Sequence, residues 1–250
     1  MIYITGDTHG RFERFDGEAP FRRNGLTRRD YVIICGDFGG IWCDDSEQKQ
    51  LLDQLEQLPF TILFTDGNHE NYDLLDAYPV TEWNGGRVQL IRENLIHLMR
   101  GQIYEIDGKS FFTMGGAACH DLWNGVLDMD SPDFEREYYR LRRMGAFFRI
   151  KGVSWWEHEL PTGEELEEGW QNLCKRGKRV DCVITHCAPE SVQTALKAVT
   201  GDQSYPSNRL TEFLQRIWEE CEFNAWYCGH YHQRLDIGKL HIRYHSVEEL

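Results

Sequence analysis

The sequence has no long apolar segment and no export signal. Its 250 residues are 41% hydrophobic, enough for a sizeable core, but no stretch approaches the roughly 18 apolar residues of a membrane-spanning helix. The first ten residues, MIYITGDTHG, lack the basic start and apolar run of a secretory signal. We therefore expect a cytoplasmic protein without membrane partners.

Paired cysteine motifs are also missing. The eight cysteines are irregularly spaced and include no CxxC pair, which argues against a thiolate zinc site or a redox motif. Without an export signal we interpret them as free thiols. The three that we expect to be exposed, Cys119, Cys174 and Cys187, have no Arg at the sixth position after them. This argues against a phosphatase with a cysteine nucleophile.

An excess of positive charge is absent too. The 27 basic residues are outnumbered by 41 acidic ones, which gives a net charge of −14. Because binding to nucleic acid draws on clustered Lys and Arg, we expect no general affinity for it. Local basic groups exist, and we interpret them as solvated helix or loop faces because acids are interleaved with them. They include Arg140, Arg142, Arg143, Arg149 and Lys151.

What the sequence does contain is an alternation of short apolar runs with longer amphipathic stretches. The runs are rich in β-branched and aromatic residues, which is typical of buried strands. They cover residues 2–5, 31–35, 60–65, 181–185 and 224–228. Asp107-Gly108 is a strong turn signal and predicts a hairpin over residues 102–114, and residues 234–244 are expected to form another strand pair.

Amphipathic periodicity predicts three helices between the runs. The first covers residues 46–57, with Ser46 as its N-cap. A capping box from Thr162 to Glu165 opens the second, which extends to about Cys174. The third covers residues 207–220.

Residues 119–160 interrupt this alternation. Ser131-Pro132 predicts a helix with Pro at its first position, extending to about Met144. Since no internal repeat or linker is present, we expect one domain over residues 1–250 with an elaboration at about 119–160.

Potential metal ligands come directly after each of the five apolar runs. Asp-x-His, as at Asp7 and His9, occurs by chance, and a lone histidine such as His186 is more often structural. However, ligands gather beyond the carboxyl ends of strands in open α/β sheets, and here the same placement recurs five times. The blocks GDTHG, GDFGG, GNHE, TH and GHYH supply Asp7, His9, Asp37, Asn68, His69, His186, His230 and His232. Together they predict a dinuclear metal site.

In this order, the five blocks resemble those of the calcineurin-like metallophosphoesterases, whose pattern is D-x-H, G-D, G-N-H-[DE], H and G-H-x-H. The resemblance extends from residue 6 to residue 232. It implies an α/β fold in which two mixed β-sheets pack as a sandwich flanked by helices, with the metals at the strand ends. The ligands that it implies for one metal are Asp7, His9, Asp37 and His232, and those for the other are the bridging Asp37 with Asn68, His186 and His230. It also implies that His69 is catalytic and binds no metal.

One position departs from the protein-phosphatase branch of this family. There the G-D block continues to a further Asp, whereas this chain reads GDFGG and has Gly40. The carboxylate that usually orients the catalytic histidine is therefore missing. Asp66, Glu70 or a residue of the 119–130 loop are the candidates to replace it.

The implied function is hydrolysis of a phosphorylated small molecule or nucleotide. Two divalent metal ions about 3.5–4 Å apart would provide a metal-bridging hydroxide as nucleophile and clamp the phosphate oxygens. Mixed nitrogen and oxygen ligation favours Mn, Fe, Zn, Co or Ni over Mg or Ca. His69 would stabilise the transferring group and protonate the leaving oxygen.

Two alternatives stay open. The substrate is either a phosphomonoester or a phosphodiester, and the elaboration could shape a pocket for a base with His120, Asp121, Arg149, Trp155 and Trp156. A non-catalytic scaffold of the same fold, used for protein interaction, would be expected to lose ligands. This sequence keeps every one of them.

Overall fold

Most of the strands form two mixed sheets. The computed structural model describes residues 1–15, 25–201 and 204–250. The strands are β1 (Ile2–Thr5), β2 (Tyr31–Ile34), β3 (Thr61–Phe64), β4 (Val80–Trp83), β5 (Gly86–Arg92), β6 (Leu95–Leu98), β7 (Ile103–Ile106), β8 (Lys109–Met114), β9 (Val126–Leu127), β10 (Arg149–Ile150), β11 (Cys182–Thr185), β12 (Ala225–Cys228), β13 (Leu235–Ile237), β14 (Leu240–Ile242) and β15 (Glu248–Glu249). The first sheet has the order β15-β1-β2-β3-β6-β5-β4, and the second has the order β13-β14-β12-β11-β8-β7. β9 and β10 form a separate parallel pair.

Parallel strands occupy the centre of each sheet. Neighbours are parallel from β1 through β2 and β3 to β6, and from β14 through β12 and β11 to β8. Antiparallel strands lie at the edges. The helices are α1 (Ser46–Glu56), α2 (Tyr72–Leu75), α3 (Phe134–Met144), α4 (Gly163–Lys175), α5 (Glu190–Thr200) and α6 (Arg209–Glu220), with 3-10 turns at Glu13–Phe15 and Glu157–Glu159. None of the helices in the described ranges is both long and apolar enough to cross a bilayer.

Three apolar clusters separate the layers. Between the sheets, Ile4 and Ile33 of the first sheet belong to one cluster with Ile184 of the second. Leu52 of α1 packs on the outer face of the first sheet, and Leu214 of α6 packs on the outer face of the second. The central strands are buried on both faces, which is why they are continuous apolar runs. The predicted α/β sandwich of two mixed sheets flanked by helices is confirmed.

The sequence predicted the central strands well and some boundaries poorly. Asp45, not Ser46, is the N-cap of α1, because its side chain accepts the N–H of Gln48. Pro132 is not the first residue of α3, which begins at Phe134 after a turn in which the Phe134 N–H donates to the Ser131 carbonyl. The capping box at Thr162 is present as predicted.

The antiparallel strands β4 to β6 were not predicted. β4 is mostly exposed and lacks a clear apolar alternation. The sequence signal for a hairpin here was Asn84-Gly85. These two residues have φ angles of 48° and 93° and form the tight turn between β4 and β5.

The cysteines are free thiols, as expected. However, Cys119 and Cys187 are buried rather than exposed. A Cys-x5-Arg spacing does occur at Cys228 and Arg234, but Cys228 is buried in β12 and burial raises the pKa of its thiol well above the usual value. A cysteine nucleophile therefore has no support in the structure.

The 119–160 segment contains β9, α3 and β10, and it is attached to the loops of the first sheet through Trp156. The indole N–H of Trp156 donates to Asp73 Oδ2 at 2.8 Å. Its ring meets that of Trp42 edge to face, with centroids 5.7 Å apart. Trp156 is buried, so this tryptophan is part of the core rather than of a pocket wall.

His158 provides a second attachment and a pH-dependent contribution to stability. Its Nδ1 lies 2.9 Å from Asp76 Oδ2 and its Nε2 lies 3.5 Å from Glu165 Oε1. Hydrogen bonds to Asp76 and Glu165 raise the pKa of His158 to about 9. Since this pKa lies above the unfolded value of about 6.5, the stabilisation is complete below pH 6.5 and is lost as the pH rises through 9.

We predict that His158→Gln lowers the free energy of unfolding at pH 6 and has little effect at pH 10. Urea unfolding of both proteins at the two pH values measures the difference. Asp76→Asn removes the first partner and should show the same trend. A penalty for His158→Gln that is equal at both pH values would contradict this account.

Candidate metal centre

Two histidines, one from the first block and one from the fifth, surround the buried carboxylate of Asp7 directly beyond β1. Asp7 Oδ1 accepts the N–H of His230 at 2.9 Å. Asp7 Oδ2 lies 3.1 Å from His232 Nε2 and 3.7 Å from His9 Nε2. The two Nε2 atoms of His9 and His232 are 3.0 Å apart. Side chains 223 positions apart in the chain therefore converge on Asp7.

Asp37, beyond β2, contacts the other side of the cluster. Its Oδ1 accepts the N–H of His69 at 2.8 Å and lies 3.1 Å from His186 Nε2. Its Oδ2 lies 3.7 Å from His9 Nδ1. One carboxylate thus contacts histidines of the loops after β1, β3 and β11, a position suited to a bridging ligand.

His186 is fully buried and its tautomer is fixed by the backbone. Its Nδ1 lies 2.8 Å from the carbonyl oxygen of Cys35. A carbonyl can only accept, so Nδ1 carries a proton, and Nε2, which faces Asp37, is the nitrogen that could bind a metal ion in place of a proton. This is the arrangement that a metal-binding histidine needs.

Among the described residues, three groups of side chains could each hold a metal ion. Within each group, the potential ligand atoms lie within 4.8 Å of one another. The groups are Asp7 with His9 and His232, His9 with Asp37 and His69, and Asp7 with Asp37 and His186. These groups share members and form one continuous cluster. His69 lies within ligand distance, so its assignment as a residue that binds no metal stays a prediction.

The other two predicted ligands, Asn68 and His230, lie beside this cluster. Asn68 is buried at the end of the loop after β3. His230 is also buried, with its ring centroid 4.9 Å from that of His186. His230 belongs to none of the three groups within the described part of the chain.

Unsatisfied polar atoms show that these residues fit a cation. Asp7 Oδ2, His186 Nε2 and both amide atoms of Asn68 are buried and have no hydrogen-bond partner among the described residues. Buried polar groups are normally hydrogen-bonded, since leaving one unpaired costs about 1–3 kcal/mol. All four atoms belong to predicted ligands, and the donor set of carboxylate, imidazole and amide oxygen is that of a transition-metal site.

The backbone around the centre is held in a rare conformation. Positive φ angles, which residues other than glycine seldom adopt, occur at His9 (48°), Asp37 (48°), His230 (68°) and His232 (50°). Such outliers persist only where the surrounding structure imposes them, and they cluster at functional sites. Four of the predicted ligands share this feature.

Glycines precede the ligands because the loops pack too closely for a side chain. A Cβ on Gly67 would lie within 3.0 Å of Asp37 Oδ1, and a Cβ on Gly229 would lie within 3.0 Å of Asp7 Oδ1. The close approach lets the backbone N–H groups of the two loops donate to the carboxylates.

Charge and burial compete at the centre. Burial alone would lower the pKa of His186, but the charge of Asp37 outweighs burial and raises it to about 10. For Asp37 the effects are reversed. Burial would raise its pKa, but the charge of His186 and the hydrogen bond with it hold that pKa well below its usual value. Without a metal ion, the charge of Asp37 thus favours a proton on His186, and a bound cation would take the place of that proton.

The structure bears on the three candidates for the carboxylate that orients His69. Asp66 is bound to Arg100, with an Oδ2–Nη2 distance of 2.6 Å. Glu70 accepts the N–H of Phe38 at 2.7 Å. In the 119–130 loop, Asp121 has a pKa below its usual value; burial opposes this shift, which comes mainly from hydrogen bonds to Cys119 and Arg149, with a smaller contribution from the charge of His69. Of the three candidates, Asp121 is thus the one whose pKa responds to the charge of His69. Its hydrogen-bond partners, Cys119 and Arg149, lie in the elaboration.

A cleft of about 870 Å³ opens onto the cluster. Six of its lining residues were not predicted as site residues from the sequence: Thr8, Arg11, Glu13, Arg14, Tyr244 and His245. Arg14 donates to the carbonyl oxygens of Asp7 at 2.7 Å and Tyr244 at 2.8 Å, which joins the first loop to the end of the chain. The Tyr244 ring stacks on His232 with centroids 4.3 Å apart. Arg11 and Arg14 closely follow the first block, and this position was a signal that the sequence offered. Tyr244 lies beyond the last motif and had no such signal.

The double sheet and its cluster of Asp and His at the strand ends define a metal-binding α/β sandwich. A family model described as calcineurin-like phosphoesterase matches residues 1–234, and the chain belongs to this family. Members of this family typically use divalent metals, and membership suggests hydrolase activity on a phosphorylated substrate. The uncharacterized protein L509 of Acanthamoeba polyphaga mimivirus is 24% identical over 216 residues, which are 81% of this chain and 71% of that protein.

We predict that Gly67→Ala lowers the amount of divalent metal that the protein retains. The new Cβ would displace the Asp37 carboxylate. Elemental analysis after incubation with Mn²⁺ and desalting measures the loss. Gly163→Ala is the matched control, since no heavy atom lies within 4 Å of its added Cβ; it should retain as much metal as the wild type. Equal metal content in all three proteins would refute this steric account.

Proposed function

We propose that this protein hydrolyses phosphoesters with two divalent transition-metal ions, from among Mn, Fe, Zn, Co and Ni. The supporting observation is the pair of buried carboxylates, Asp7 and Asp37, surrounded by ligand atoms that lack hydrogen bonds. Within the described part of the chain, no Lys or Arg lies within ion-pair distance of either carboxylate, and their close neighbours are histidines. Buried charges need a counter-charge, and bound cations provide it.

The contacts support a division of the ligands into two sets that share Asp37. Asp7, His9 and His232 approach one another most closely on one side, and with Asp37 they form the first set. His186 lies on the other side of Asp37. We assign His230, whose ring centroid is 4.9 Å from that of His186, to the second set with His186 and Asp37. Asn68, whose buried amide atoms lack hydrogen bonds among the described residues, completes this set.

The protein's own residues would hold and orient the substrate in the cleft. When bound, the two metal ions would lower the pKa of a water molecule and neutralise phosphate oxygens. Arg11 is exposed at the rim, where its guanidinium can donate to a phosphate oxygen. His69 is partly exposed between the cluster and the cleft, where its imidazole can protonate the leaving oxygen.

Removing the metal ions should abolish turnover. We expect protein treated exhaustively with a chelator to lose hydrolysis of both p-nitrophenyl phosphate and bis(p-nitrophenyl) phosphate, because without the cations the phosphate would face the negative charges of Asp7 and Asp37 and no water would be activated. Readdition of Mn²⁺, Zn²⁺ or Co²⁺ should restore it. Comparison of the two rates also separates monoesterase from diesterase activity. Full turnover without metal would rule out the proposal, and no turnover with any metal would favour the non-catalytic scaffold.

His69→Ala should keep the bound metal and lose most of the rate. Loss of a general acid typically costs about 10²- to 10⁴-fold in rate. Steady-state kinetics and elemental analysis of the same samples measure both quantities. Asp37→Asn, in contrast, should lose metal and activity together. If His69→Ala lost metal to the same extent as Asp37→Asn, His69 would be a ligand and not the acid.

A further inference from the structure

A cavity of about 440 Å³ lies in the elaboration, between the end of α3 and β10. Its size is within the range of about 300–1,000 Å³ that is usual for small-molecule pockets. The side chains that define it are Asp121, Tyr138, Arg142, Phe147, Phe148 and Arg149. This combination of aromatic rings and guanidinium groups has no role in the metal centre.

The Asp121 side of the cavity lies towards the metal centre. Arg149 and Asp121 form a two-point ion pair that includes a bond of 3.1 Å from Nε to Oδ1. His120, the neighbour of Asp121 in the chain, has its ring centroid 5.4 Å from that of the predicted ligand His230. The backbone at residues 120 and 121 therefore joins a side chain at the metal centre to a wall of the cavity.

The cavity is locally positive in an acidic protein. Its walls carry two guanidinium groups against the one carboxylate of Asp121, although the chain has a net charge of −14. Arg149 is neutralised by Asp121. Arg142 is exposed, and no acidic side chain of the described residues is paired with it. Its charge is thus available to an anionic ligand.

The aromatic walls offer surfaces for a flat ring. Tyr138 and Phe148 meet edge to face with centroids 5.9 Å apart. Phe147 is 66% exposed, which is unusual for a side chain that normally gains free energy from burial. An exposed phenyl ring beside an unpaired guanidinium suits a ligand that is both planar and anionic.

We propose that this cavity binds the base and a non-scissile phosphate of a nucleotide. Nucleobases stack on aromatic side chains, and guanidinium groups donate two hydrogen bonds to a phosphate. The proposal rests on the proposed function, since the scissile phosphate of the same nucleotide would lie at the metal centre. It deepens that function by naming the substrate class and a specificity site.

Binding of ADP to chelated protein tests the cavity without hydrolysis. We expect Phe147→Ala and Arg142→Ala each to raise the dissociation constant for ADP about tenfold, in line with the loss of one stacked ring or one charged contact. Titration calorimetry measures it. Met144→Ala and Arg143→Ala are matched controls, because both residues are exposed and lie in the same segment without lining the cavity; they should bind ADP as the wild type does.

Kinetics of the metal-loaded protein separate this proposal from the proposed function. The ratio of kcat/KM for ADP to that for p-nitrophenyl phosphate should fall about tenfold in the two cavity variants and stay unchanged in the two controls. Metal-dependent hydrolysis with an unchanged ratio would overturn the cavity proposal alone. Cavity-dependent ADP binding without hydrolysis of any ester would support the cavity and refute the phosphoesterase.

Two further outcomes would overturn the cavity proposal. One is an absence of ADP binding to the wild-type protein. The other is a change in oligomeric state in the cavity variants on size-exclusion chromatography, which would make this surface a protein interface instead.

Discussion

The site depends on two buried carboxylates that each accept a backbone N–H from a facing loop. Asp37 receives the N–H of His69, and Asp7 receives that of His230. These bonds hold the loops after β2 and β3 together, and likewise those after β1 and β12. They also orient the remaining carboxylate oxygens towards the imidazoles, so one pair of interactions fixes both the loop packing and the donor geometry.

The double sheet makes these bonds possible. Burial of Ile33 and Ile184 between the sheets aligns the carboxyl ends of parallel strands from both sheets at one edge of the sandwich. Arg14 then joins the first loop to the carbonyl of Tyr244. The strained backbone at the ligands is tolerated because the apolar core and this arginine hold both sides of the centre in place.

The sequence predicted the parts of the structure that depend on short-range patterns. The central strands are apolar runs, and ligands such as Asp7, Asp37 and His186 follow them directly, so strand and site could be predicted together. Features that depend on long-range contacts could not. Asp37, which has a positive φ, packs closely against Gly67 of another loop. Tyr244 contacts His232 from a part of the chain without any motif.

The cluster also constrains how the protein is made. Its members extend from Asp7 to His232, and β1 pairs with both β2 and β15. A growing chain can therefore form the parallel core of the first sheet early, while the inner face of that sheet waits for β11 and β12 to cover it. Folds dominated by such distant pairings form slowly, so we expect this protein to acquire its ions after synthesis, as the last step of maturation.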